Sequence, residues 1–262
     1  MEIINLKSDA TENLLAPAKP IKENKITDLK SGIRDQNRVN IFIDNEFAFS
    51  LDLAQVVDYH LKIGKVLKPA EIEEIKRASA YGKLYSQTLE WVLMRPRSIK
   101  ETRDHLTQKL FKLEIDNRRR AENRERLKSD PEFKKLARDF KIKTRERELY
   151  EKSDIEKVIT KLIEKGYLDD RKFTEWFIEN RFVKKGISEI RLRQELVKKG
   201  IDKNLIDELL ENSPRNEAEE IKKVIQKRGA RTEPQKLLSY LVRHGFSLDL
   251  SRELVEEYYN LT

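Results

Sequence analysis

One internal repeat constrains this chain more than any other feature. Leu196-Val197-Lys198-Lys199-Gly200-Ile201 ends a helix-periodic stretch opened by Gly186-Ile187-Ser188. Forty-five positions on, Leu241-Val242-Arg243-His244-Gly245-Phe246 repeats that ending. Gly200 and Gly245 stand where a left-handed residue closes a helix, and Ile201 and Phe246 supply the apolar contact that accompanies the closure. Asp202 and Ser247 offer oxygens to cap the next helix, and Leu205 and Leu209 correspond to Leu250 and Leu254. Ninety positions before the Leu196 segment, Leu106-Thr107-Gln108-Lys109-Leu110-Phe111 holds the same frame. A period of roughly 20–50 residues marks a stacked array, in which each unit buries its apolar face on its neighbours. The expected fold class is mostly α: tandem three-helix, helix-turn-helix-like repeats in an elongated array, preceded by a small β-meander.

The meander is read from residues 25–33, 38–43 and 46–51, short segments separated by Arg34-Asp35-Gln36-Asn37 and by Asp44-Asn45. Val39, Ile41 and Ile43 alternate with Asn40 and Phe42 as in a half-buried strand, and Asp44-Asn45 suits a two-residue hairpin turn. Residues 1–24, with Pro17 and Pro20, are expected to be a mobile tail without secretory character. Helices are expected at 54–60 and 69–93, the second interrupted near Gly82. Ser98 and Glu101 form a capping box behind Pro96, which marks a helix start. The expected domains are 25–78, then repeats at 79–170, 171–212 and 213–262.

The first repeat is interrupted by a charged insertion at about 114–150, which reads either as a solvated helical hairpin or as a basic arm along phosphates. It carries Arg118-Arg119-Arg120, Lys134-Lys135, Lys141, Lys143, Arg145 and Arg147 among many acids, with few apolar residues.

Composition narrows the function classes. Without cysteine there are no disulfides, thiolate metal sites or cysteine nucleophiles, which fits a cytoplasmic, reducing setting. No run approaches the about 18 apolar residues of a spanning helix, so no membrane role is expected. His60, His105 and His244 lie at no metal-ligand spacing, and His244 suits the negative end of a helix. Asp169-Asp170 reads as helix N-caps. The eight glycines form no phosphate-cradling loop, and no catalytic triad is visible. The chain is expected to be no enzyme and to need no cofactor. Phe173, Trp176 and Phe177 have the i, i+3, i+4 spacing of a core before that of a base-stacking platform.

A formal charge of +8, with charged residues at 39%, attracts polyanions. Candidate phosphate or partner contacts are Arg95, Arg97, Lys100 and Arg103 in the first repeat. The second offers Arg181, Lys184, Lys185, Arg191, Arg193, Lys198 and Lys199, and the third Lys227, Arg228 and Arg231. Arg118, Arg119, Arg120, Lys134 and Lys135 are the candidates in the insertion. For any one of them, simple solvation of a helix face is an equal reading.

The order and spacing of several stretches resemble the RecX family, bacterial regulators of the RecA recombinase. They are the segment from Val39 to Leu51, Arg95-Pro96-Arg97-Ser98 with Glu101 and Leu106, Gly166-Tyr167-Leu168-Asp169-Asp170 with Phe173, then Arg181, Gly186, Ile187 and the segment from Leu196 to Ile201. The resemblance spans about 25–262 apart from the insertion, which departs from the family pattern. It implies a curved array that binds in the groove of RecA–DNA filaments as a monomer, blocks ATP hydrolysis and strand exchange, and contacts single- or double-stranded DNA. The residues alone leave a stand-alone DNA- or RNA-binding protein as the alternative.

Overall fold

The computed structural model describes residues 23–32, 36–140, 142 and 150–260. The tail expected at 1–24 lies outside the described residues except for Glu23 and Asn24. Arg34, Asp35, Lys141, Lys143, Arg145 and Arg147 lie outside them too. Contacts divide the chain between Ser79 and Ala80.

In the first unit, β1 (Ile26–Ser31), β2 (Arg38–Ile43) and β3 (Glu46–Asp52) form an antiparallel sheet in that order. Asp44 and Asn45 both take positive φ, as a tight two-residue turn demands. The Asp44 carboxylate then accepts the backbone N–H groups of Asn24 and Lys25. Pairing of Ile41 with Phe49 places both on the buried face with Ile26 and Leu51, whereas Phe42 meets Phe47 edge-on in the opposite direction. Asp52 caps α1 (Leu53–Asp58) in a reciprocal box with Gln55. Ser79 closes the unit by donating to the carbonyl of Ser50.

Helix α2 (Pro69–Leu93) runs on through Gly82 without the expected interruption. One glycine costs a helix about 1 kcal/mol. Burial of Ile75, Leu84 and Val92 along the same helix outweighs that, at roughly 1.5–3 kcal/mol for each large side chain.

The second unit holds three helical groups. The C-terminal half of α2 packs with α3 (Ile99–Ser129) and α5 (Lys152–Glu164) around Leu84, Leu106, Val158 and Leu162. Next, α6 (Asp170–Asn180), α7 (Glu189–Lys198) and α8 (Lys203–Glu211) enclose Phe173, Leu192, Leu196 and Ile206. Last, α9 (Glu217–Arg228), a 3-10 turn at Gly229–Arg231, α10 (Pro234–Arg243) and α11 (Leu248–Asn260) enclose Ile221, Leu237, Leu241 and Val255. The repeated closure has the expected geometry. Gly200 and Gly245 have φ of 81° and 85°, and the N–H groups of Ile201 and Phe246 reach back to the carbonyls of Leu196 and Leu241.

The insertion begins as an unbroken continuation of α3 and turns at Asp130 into α4 (Pro131–Asp139). Asp130 ends one helix and caps the next by accepting from Phe133 N–H. Phe133 and Ala137 are buried, and the Arg126 guanidinium lies 4.0 Å from the Phe133 ring centroid. Tyr150 then returns the chain to the first group. Its hydroxyl reaches the Leu106 carbonyl, and burial, with Glu114 nearby, pushes its pKa up to about 12.

Candidate partner and phosphate interface

The helical groups meet through a joint used twice. At the first joint Ser98 accepts the N–H of Glu101 at 3.0 Å, capping α3, while its own hydroxyl donates to the carbonyl of Lys199 at 2.8 Å. At the second joint, ninety positions on, Ser188 accepts from Arg191 and donates to the carbonyl of His244. In both joints a serine at a helix start satisfies an orphan carbonyl at the end of a helix from the following repeat. The glycine after that carbonyl permits the approach. A Cβ at Gly200 would stand 2.6 Å from that of Lys100, and one at Gly245 would stand 3.2 Å from that of Ile190.

The charges around the two joints differ. At the first, Glu101 was expected to fold back onto the N–H of Ser98. Instead its carboxylate collects Arg95 at 2.6 Å, Arg97 at 3.2 Å and Lys199 at 3.5 Å. Three charge-assisted contacts outcompete one neutral backbone donor. Burial alone would raise the Glu101 pKa, but the Arg95 hydrogen bond and the charges of Lys199 and Arg95 hold it below the usual range. Asp170 was expected to cap its own helix. Asp169 does that, and Asp170 crosses the joint to accept the N–H of Ile99 at 2.8 Å. Burial pushes the Asp170 carboxyl up despite that bond.

At the second joint, Glu220 is 4% exposed and is the focus. It accepts the N–H of Ile187, and Lys223 and Arg215 approach it at 2.7 and 3.3 Å. Arg215 also donates to the carbonyl of Arg181.

Beside the first joint lies a cleft of about 390 Å³, lined by Trp91, Lys100, Asp104, His105, Lys198 and Lys199 among others. His105 stacks on Trp91 at 4.1 Å between ring centroids, and the Arg97 guanidinium lies 3.9 Å from the same ring. Burial and the positive charge of Lys109 push the His105 pKa down, and burial and Arg95 do the same to Arg97. The indole is thus engaged within its own repeat.

The structure sorts the basic residues singled out from sequence. Arg95, Arg97, Lys100, Lys198 and Lys199 converge at the first joint, where Lys100 pairs with Asp104. Arg103 grips Glu156 with two hydrogen bonds, away from the cleft lining. Arg181 and Arg191 share Glu195, and Arg193 bridges Glu189 and Asp207. Arg228, Lys227 and Arg231 are all exposed, with Arg228 lying over Tyr240. Lys184, Lys185 and Lys198 are exposed and have no carboxylate partner among the described residues. In the insertion Arg118, Arg119, Lys134 and Lys135 are exposed, but Arg120 is buried against Asp116, inside the hairpin rather than on an arm. Phe173 and Phe177 are buried in the second group, as their spacing indicated, and Trp176 packs half-buried against it. The roles of Glu101 and Asp170 were missed. Neither Lys199 nor Ile99 is near its partner in sequence, so no local signal announces them.

Among the described residues no group of three metal-ligating side chains occurs, and no helix is long and apolar enough to cross a membrane.

A three-stranded sheet followed by jointed three-helix repeats defines a helical-repeat protein, and the comparisons specify which. Residues 24–68 match the regulatory protein RecX N-terminal domain, and 169–210 match the RecX second three-helix domain. The regulatory protein RecX of Listeria monocytogenes serotype 4b (strain F2365) is 32% identical over 89% of this chain and 96% of its own. Its counterpart from Bacillus pumilus (strain SAFR-032) is 28% identical over 90% and 78%. A crystal structure of regulatory protein RecX superimposes with a TM-score of 0.50 at 20% identity, covering 89% of this chain and 98% of that one. The chain belongs to the RecX family of regulatory proteins.

Proposed function

We propose that this protein regulates the RecA recombinase in the cytoplasm by binding RecA–DNA filaments as a monomer, lowering ATP hydrolysis and strand exchange without catalysing a reaction. The observation that carries this reading is the repeated joint with a cation-rich cleft on a chain of the RecX family. Successive repeats (79–170, 171–212 and 213–262) present basic side chains on rigid helices. A polyanionic filament attracts such a surface through released counterions, and contact with more than one protomer alters how protomers hold together. Nothing in this scheme requires a bond to be made or broken.

The test is co-sedimentation with RecA filaments assembled on single-stranded DNA. Retention in the pellet is expected at micromolar concentration. A chain that stays in the supernatant while the filament pellets would remove the reading. Exposed Arg118, Arg119, Lys134 and Lys135 favour a second reading, a stand-alone DNA- or RNA-binding protein with the hairpin as a phosphate clamp. Filament binding unchanged by neutralising those four, together with no affinity for free nucleic acid, would exclude it. Cleavage of DNA on adding a divalent cation would instead make the chain an enzyme.

A further inference from the structure

The first joint carries more positive charge than its fold uses. Arg95, Arg97, Lys100, Lys198 and Lys199 gather there against Glu101, Asp104 and Asp170, five cations to three carboxylates. Glu101 is shared three ways, and Lys198 has no carboxylate at all among the described residues. At the second joint Lys184 and Lys185, just before Gly186, have no carboxylate partner among the described residues either, but the cations at its centre are each held. Glu220 lies between Arg215 and Lys223, Glu195 between Arg181 and Arg191, and Arg193 holds both Glu189 and Asp207.

An uncompensated cluster on a surface repels itself and is stabilised by an external anion. Its members have the reach for one. The side chains of Arg95 and Lys199 are each 36% exposed, and that of Lys100 is 49% exposed. Arg97, 13% exposed and clamped between Trp91 and Glu101, holds the cluster in place rather than contacting a ligand. The cleft lies between two repeats, which suits a chain passing across it.

We propose that the cleft at the first joint binds the phosphodiester backbone of nucleic acid, with Lys198, Lys199 and Lys100 of its lining as the phosphate contacts and Arg95 joined to them through Glu101. This deepens the filament reading but does not depend on RecA. A phosphate seated on Lys199 and Lys100 bridges the two repeats, so binding also stiffens the joint.

The experiment uses the full chain and a labelled single-stranded oligonucleotide, with anisotropy titrations at several salt concentrations. Lys198→Gln/Lys199→Gln is compared with Lys152→Gln/Lys165→Gln, which removes equal charge from exposed lysines outside the cleft. The first pair is expected to weaken binding about tenfold and to reduce the log–log salt slope by about 1.4, from the roughly 0.7 per phosphate of single strands. The second pair is expected to stay within about twofold, as diffuse charge effects are small. Hydrogen exchange supplies an independent readout. DNA is expected to slow exchange at 95–101 and 196–201 in the wild type but not in Lys198→Gln/Lys199→Gln.

Equal weakening by both pairs would overturn the proposal in favour of diffuse attraction, and an absence of DNA binding at low salt would overturn it outright. Loss of filament binding by Lys198→Gln/Lys199→Gln with unchanged DNA affinity would reassign the cleft to an acidic protein surface. Failure of the wild type to bind RecA filaments, with cleft-dependent DNA binding intact, would sink the filament reading and leave this one standing.

Discussion

The two joints share a backbone design and differ in their charges. Each places a capping serine on a helix-end carbonyl and a left-handed glycine against the neighbouring repeat. At the second joint the central carboxylate is buried and accepts a backbone N–H; at the first it is more open and surrounded by surplus cations. Backbone geometry is therefore what the repeats must keep, because orphan carbonyls and close approaches leave no choice. Charge at the rim is under no such constraint, and the two joints differ there.

The largest effect is expected of Gly186→Ala at the second joint. A Cβ there would stand 2.2 Å from the carbonyl oxygen of Glu220, at a φ of 72°. The variant is expected to lose about 3 kcal/mol or more in denaturant unfolding, from strain and displacement of the second joint. Gly166→Ala has the same φ but open space around it, and is expected to cost only about 1 kcal/mol. Equal losses would mean that the joint tolerates separation.

Next in size is the contrast between the carboxylates. Glu220→Gln leaves Arg215 buried without a counter-charge and is expected to cost about 3 kcal/mol. Glu101→Gln leaves Arg97 half-clamped against Trp91 without its carboxylate, while Arg95 and Lys199 turn to solvent, and is expected to cost less, about 2 kcal/mol. The reverse order would make the first joint the structural one.

Ser98→Ala and Ser188→Ala should be near equal, at about 1–2 kcal/mol each, since each removes one cap and one carbonyl donor. A large gap between them would show that the joints are not equivalent.

The smallest effect is on pH dependence. Glu101 titrates below its ordinary value in the fold, so its contribution is present above the ordinary carboxylate range. It is lost as pH falls from about 4.5 through the lower folded value. Asp170 has the opposite sign: its raised pKa means that protonation on acidification relieves a burial cost. Glu101→Gln should therefore flatten the acid decline in melting temperature, and Asp170→Asn should steepen it. A shift in the same direction for both would contradict the assignment.

The repeats were legible because helix closure is local chemistry. Gly200 with Ile201 and Gly245 with Phe246 announce a left-handed cap and its apolar contact wherever they fold. Asp44-Asn45 likewise specified its turn. Gly82 misled, because the cost of one glycine is visible in sequence while the burial of Leu84 and Val92 is not. The candidate interface was legible only as a list of basic residues. Arg97 and Lys198 look alike in sequence, yet one is clamped against Trp91 and Glu101 and the other is exposed. Sorting them needed the joint, whose halves lie 101 positions apart at Ser98 and Lys199. Arg120 was drawn into the list by its neighbours, although helical spacing puts it beside Asp116 on the buried face.

The proposed role of the chain is to regulate a recombinase filament through a non-catalytic repeat surface. Its most direct test is ATP hydrolysis by RecA on single-stranded DNA, titrated with the full chain at moderate salt. Inhibition below one chain per RecA protomer is the predicted result, and an unchanged rate at several chains per protomer would contradict it.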